Sequence, residues 1–165
     1  MNRISEHISY KEGTYSPTAH RLGINNTPNE KQLEAMHNVA ENCFEPLREY
    51  FGVPIKIESF FRCLALNLTL GSTSGSQHIK GQAIDIDDDY GKITNREMFY
   101  WLVFNVEYDQ IIWEFGNGEN PGWIHVSYRE GNNRKKLTVA HKKTGRTQYK
   151  HFQSIEQLNR FLTTL

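Results

Sequence analysis

The sequence is poor in the features that would assign it quickly. Two cysteines, Cys43 and Cys63, are too few for a disulfide framework, and both sit in apolar-periodic surroundings that suit buried thiols better than a redox pair. No apolar run approaches the roughly 20 residues needed to span a bilayer, so no membrane association is expected. There is no charge surplus either: 19 basic residues balance 19 acidic ones. General nucleic-acid binding needs excess positive charge to displace counterions, so no nucleic-acid partner is expected. The basic run Arg134, Lys135, Lys136, Lys142, Lys143 and Arg146 reads as a solvated hairpin. Repeats, low-complexity tracts and linkers are absent as well, and 165 residues suit one domain, 1–165.

What is present is a set of short periodic segments. Residues 1–27 are polar and turn-rich, with apolar anchors at Ile4, Ile8, Tyr10, Leu22 and Ile24, and read as a segment wrapped over a core. Thr27-Pro28 suits a helix start, and Leu33, Met36, Ala40, Cys43, Leu47 and Tyr50 keep helical spacing up to Gly52. Pro46 falls inside that run and should kink or split it. A short strand is expected over 54–59, a helix over 62–70 and a strand over 82–87. Thr94 caps a second long helix running to about Glu107. Strands are then expected over 110–115, 123–128 and 136–142, and Ser154 caps a last helix within a C-terminal helical extension, 143–165. Helices followed by a strand-rich half point to an α+β domain, a small antiparallel sheet packed with helices.

Two segments carry chemistry. In Ala83-Ile84-Asp85-Ile86-Asp87, strand parity puts Asp85 on one face and Ile84 and Ile86 on the other. His78 precedes that strand by a Gly81 turn. In Trp123-Ile124-His125-Val126-Ser127, the same alternation separates His125 from Ile124 and Val126. If the two strands are neighbours, His78, Asp85 and His125 form a two-histidine, one-carboxylate set, leaving a fourth tetrahedral position for water as catalytic zinc requires. Glu114 ends the preceding strand, and the glycine-rich stretch 116–122 can return the chain to His125. A carboxylate there can take a proton from water and hand it to a leaving amine. A calcium loop counted from Asp85 fails, because its sixth position is Tyr90 and its twelfth Arg96. Neither Ser76 nor Ser127 stands in a nucleophile elbow. His7, His20, His37, His141 and His151 have no convergent partners in the sequence and read as structural or exposed.

Ser76-Gln77-His78, Gly81-Gln82-Ala83, Asp85 and Trp123-Ile124-His125-Val126-Ser127 together resemble the zinc D-Ala-D-Ala carboxypeptidase family, part of a wider group with lysostaphin-type peptidases and hedgehog signalling domains. Ile4-Ser5-Glu6-His7, Arg21-Leu22-Gly23-Ile24, Glu45-Pro46-Leu47-Arg48 and Ser59-Phe60-Phe61-Arg62 are similar to phage and bacterial members. The resemblance implies a zinc metallopeptidase acting on peptidoglycan stem peptides, as a D,D-carboxypeptidase or an endolysin-type endopeptidase. It implies His78, Asp85 and His125 as Zn2+ ligands, Glu114 as base and Arg62 as the groove arginine that holds a carboxylate or carbonyl. Ser76, Gln77 and Trp123 are the expected substrate contacts. Two positions depart from the pattern: Gly122 stands where better-known carboxypeptidases carry an acid, and Phe60, Phe61 and Cys63 alter the run around Arg62. The competing expectation is a non-catalytic, zinc-stabilised wall- or protein-binding module. Without an apolar leader in Met-Asn-Arg-Ile-Ser-Glu-His, the protein is expected to be cytoplasmic until released, or phage-associated, and monomeric.

Overall fold

Strand alternation sets the architecture. Ile84, Ile86, Ile111, Trp113, Ile124 and Val126 are fully buried on one side of a sheet, and the helices pack against that side. The structure, a computed structural model, describes residues 3–165. Six strands form one sheet: β1 (Lys56–Ser59), β2 (Ala83–Asp87), β3 (Gln110–Glu114), β4 (Trp123–Ser127), β5 (Lys136–Lys143) and β6 (Arg146–Phe152), in the order β1-β2-β4-β3-β5-β6. The part that carries the expected metal ligands is antiparallel throughout. The sheet as a whole is mixed, larger than the small antiparallel sheet expected, because β3 and β5 pair in parallel.

Helices α1 (Tyr10–Thr14) and α2 (Pro17–Leu22) form the N-terminal segment, with Ile4 and Ile8 sunk in the core. Leu22, expected as an anchor, is exposed. Helix α3 (Glu30–Val39) starts at Asn29, not Thr27, because Asn29 and Gln32 close a reciprocal capping box. A π-helical turn, Ala40–Phe44, then leads into α4 (Glu45–Phe51), whose first turn holds Pro46. The split expected from that proline is present, made by a widened turn that releases the backbone without ending the rod. Cys43 is fully buried there, and burial pushes its thiol up to about 12; Cys63 is half-buried and caps α5 (Leu64–Thr69). Helix α6 (Asn95–Asn105) opens with a Thr94/Glu97 capping box and packs Met98, Phe99 and Leu102 on the sheet.

The C-terminal region departs from the helical extension expected over 143–165. Residues Arg146–Phe152 form β6, hairpinned to β5, and only Ile155–Leu162 is helix α7. The expected solvated basic hairpin is present, with Lys142, Lys143 and Arg146 exposed around its turn. Among the described residues no helix is long and apolar enough to cross a membrane.

Candidate metal centre

The site begins with one cross-strand pair. Strands β2 and β4 are neighbours, and their register sets Asp85 directly opposite His125 on the face away from the core. His78 arrives from a 3-10 turn, Gln77–Lys80, that ends at Gly81 with φ 70°. A side chain at Gly81 would place its Cβ 2.3 Å from the Gln32 carbonyl oxygen, so left-handed backbone and close approach both demand glycine. This turn carries His78 back over β2.

His78 Nε2 lies 3.2 Å and His125 Nδ1 2.9 Å from Asp85 Oδ1, and all three side chains are buried. Candidate ligand atoms on the three lie within 4.8 Å of one another, and this is the one such cluster among the described residues. His78 Nδ1–H donates to the Phe60 carbonyl at 2.7 Å, which leaves the Nε2 lone pair facing the Asp85 carboxylate. Two acceptors aimed at each other in a buried pocket repel unless a proton or a metal cation lies between them. A backbone carbonyl fixing the far nitrogen is also the usual support for a metal-ligating histidine. Two imidazoles and one carboxylate fit zinc, with a coordination position left for water. Burial opposes ionisation of Asp85, but His78 and His125 outweigh it and hold its carboxyl well below the usual carboxylate range.

Around this set opens a cleft of about 690 Å³. Every residue singled out from the sequence lines it: Arg62, Ser76, Gln77, Glu114 and Trp123 together with the three candidate ligands. Arg62 donates from Nη2 to Asp85 Oδ2 at 2.7 Å and from Nε to Ser59 Oγ at 2.8 Å. It is thus both an ion-pair partner of Asp85 and a wall of the cleft. Glu114 stands on β3, on the face it shares with His125. Burial pushes its carboxyl up to about 7, helped by the negative charge of Asp85 and opposed by His125 and Arg62. Strand β3 ends just beyond it in a forced turn. Phe115 has φ 57°, and a Cβ on Gly116 would meet the Asn120 carbonyl oxygen at 2.2 Å.

Gln77 is less free than its position suggested, because its amide donates to the fully buried Asp109 at 2.9 Å. Ser76 Oγ caps the 3-10 turn at the His78 amide, and Trp123 packs on Phe115 with ring centroids 5.1 Å apart. Three residues of the site escaped the sequence reading. Asp109 is a hub, receiving Gln77 and two guanidinium bonds from Arg134. Tyr149 and His151 line the cleft from β6. Only recognition of β6 as a strand would have placed these last two on the ligand face. Of the other histidines, His7 pairs with the buried Glu45, and His37 bonds the Ile4 carbonyl. Both are structural, as expected.

The sequence model of the peptidase M15 family matches residues 6–127, most of the chain and all of the elements that carry the candidate ligands. The chain belongs to the peptidase M15 family. No curated protein sequence matches it. Family membership and the buried His-Asp-His cluster agree: this is an M15 metallopeptidase with a plausible metal-binding triad, His78, Asp85 and His125. The M15 match ends at the last residue of β4, so β5, β6 and α7 lie outside it.

Proposed function

We propose that this M15 peptidase is a zinc enzyme that hydrolyses peptide bonds in peptidoglycan stem peptides. The observation that carries the reading is the convergence of a buried two-histidine, one-carboxylate set with the Glu114 carboxyl in one cleft. When bound, zinc supplies Lewis acidity, polarising a carbonyl and acidifying water.

The protein's own groups divide the remaining work. Glu114 accepts a proton from the attacking water and delivers it to the leaving amine, so a single carboxyl serves first as base and then as acid. In the metal-free protein, burial and the negative charge of Asp85 raise this carboxyl to about 7, which gives it the capacity to hold a proton as well as to take one. Arg62 is oriented by Asp85 and Ser59, and its remaining N–H donors can hold a substrate carbonyl or carboxylate. Trp123 and Phe115 offer an aromatic wall beside the reacting bond.

The test is mass spectrometry of purified muropeptides incubated with the protein, with and without a zinc chelator. Chelator-sensitive loss of a terminal D-alanine assigns a carboxypeptidase, and a chelator-sensitive internal cut assigns an endopeptidase. A folded, zinc-loaded protein that cleaves no muropeptide overturns the proposal in favour of a binding module.

A further inference from the structure

The sheet register carries the cleft well beyond the metal centre. Asp85 faces His125, His125 faces Ile112, Ile112 faces Thr138, and Thr138 faces His151, one row across five adjacent strands. A parallel row two residues along runs Trp123, Glu114, Ala140, Tyr149. Residues two apart share a strand face, so Tyr149 and His151 stand on the same face as Glu114 and the candidate ligands. Both side chains line the same cleft. Neighbouring strands lie about 4.8 Å apart, which sets the His151 backbone roughly 14 Å from His125 along the row. An extended peptide advances about 3.3 Å per residue, so His151 stands roughly four residues from His125, and Tyr149, two strands or roughly 10 Å from Glu114, roughly three.

Hydrogen bonding fixes what that wall offers. Thr138 is fully buried; its Oγ1 accepts from Gln110 Nε2 at 2.9 Å and lies 3.0 Å from His151 Nδ1. Where the hydroxyl turns its own proton to His151 Nδ1, the imidazole carries hydrogen on Nε2. Partial desolvation and the charge of Lys136 hold His151 below the usual histidine range. Burial, Glu114 and Asp85 push the Tyr149 phenol up against the pull of Arg62, so it keeps its proton. In that arrangement the wall presents an imidazole N–H and a phenolic O–H, both able to donate.

We propose that Tyr149 and His151 form a remote substrate subsite that holds a backbone carbonyl or a carboxylate of a peptide extending three to four residues from the scissile bond. The proposal rests on the peptidase reading above for the reacting end of that peptide. Family membership assigns neither residue a role, since the match ends at residue 127. A cleft built this way reads a long peptide, not a terminal dipeptide alone.

Calorimetric titration of zinc-loaded Glu114→Gln protein tests it, because that variant should hold peptides without consuming them. The probes are D-Ala-D-Ala, the stem pentapeptide ending in it, and a cross-linked stem dimer. At least one long probe should bind tenfold or more tighter than the dipeptide. Adding His151→Leu or Tyr149→Phe should bring that probe within about threefold of the dipeptide, whose own affinity stays unchanged. Thr138→Val, which frees the imidazole tautomer, should give a partial loss. Equal affinity for long and short probes, a uniform drop across all probes in His151→Leu, or no binding at all overturns the subsite. Wild-type cleavage run alongside separates the two proposals. Length-dependent binding without cleavage refutes the activity alone, and cleavage without length dependence refutes the subsite alone.

Discussion

The two faces of the central sheet are made from the same strands and have opposite characters. Trp113 and Glu114 are adjacent in β3 and both buried, yet one packs among Phe99 and Tyr100 while the other faces His125, Arg62 and the cleft. Burial stabilises the fold on the first face, where apolar surface leaves water. On the second it raises the cost of charge and so tunes chemistry. A single-residue slip in register would exchange the two sets, so the core face also fixes which groups point into the cleft.

That contrast can be broken most sharply at Trp113. Trp113→Ala should cost about 3–5 kcal/mol of unfolding free energy in urea titration, from lost burial and the cavity left behind. Zinc content per folded molecule should stay unchanged. A loss below 1 kcal/mol would show that this face does not hold the fold.

On the opposite face, Glu114 predicts a pH dependence of stability in metal-free protein. Its carboxyl titrates at about 7 in the fold against 4.5 ordinarily, so between those values the native state binds more protons than the unfolded state. Stability contributed by the protonated form is therefore intact below about pH 4.5 and is lost as pH rises through about 7, on the order of 3 kcal/mol. Denaturation at pH 5 and pH 8 should show the fall, and Glu114→Gln should remove most of it. A wild-type curve no steeper than the variant's would contradict the burial argument.

Gly81 sharpens the comparison from the backbone side. Gly81→Ala forces a Cβ onto the Gln32 carbonyl at positive φ and should cost about 2 kcal/mol, together with weaker zinc binding as the His78 turn shifts. Unaltered zinc affinity in a competition titration would mean that the turn does not set His78. The smallest effect belongs to the outer hairpin, where Lys143 is exposed. Lys143→Ala should change stability by no more than about 0.5 kcal/mol, and a larger change in thermal unfolding would give the basic turn a structural role.

How much of this the sequence disclosed follows the same division. Ile84, Ile86, Ile124 and Val126 alternate against Asp85 and His125, so strand parity alone separated the core face from the ligand face. Parity does not say which strands are neighbours, and the pairing of β2 with β4 is what the fold supplies. Arg146–Phe152 gave no such contrast, because all of its residues but Phe152 are exposed and charged or polar side chains occur on both faces. As an edge strand it is held by pairing to β5, not by an apolar stripe, and Tyr149 and His151 were hidden with it. The parallel contact of β3 with β5 was equally invisible, since no local pattern encodes a pairing that skips β4. Asn29, not Thr27, caps α3 because Gln32, three residues on, completes its box.

The most direct test of the whole account is to measure bound zinc and muropeptide hydrolysis on the same preparation of Glu114→Gln. The account predicts about one zinc per chain, as in wild type, with hydrolysis reduced by about 10²–10⁴-fold, because ligands and shape survive while the proton acceptor is gone. Wild-type turnover in the zinc-loaded variant would contradict it.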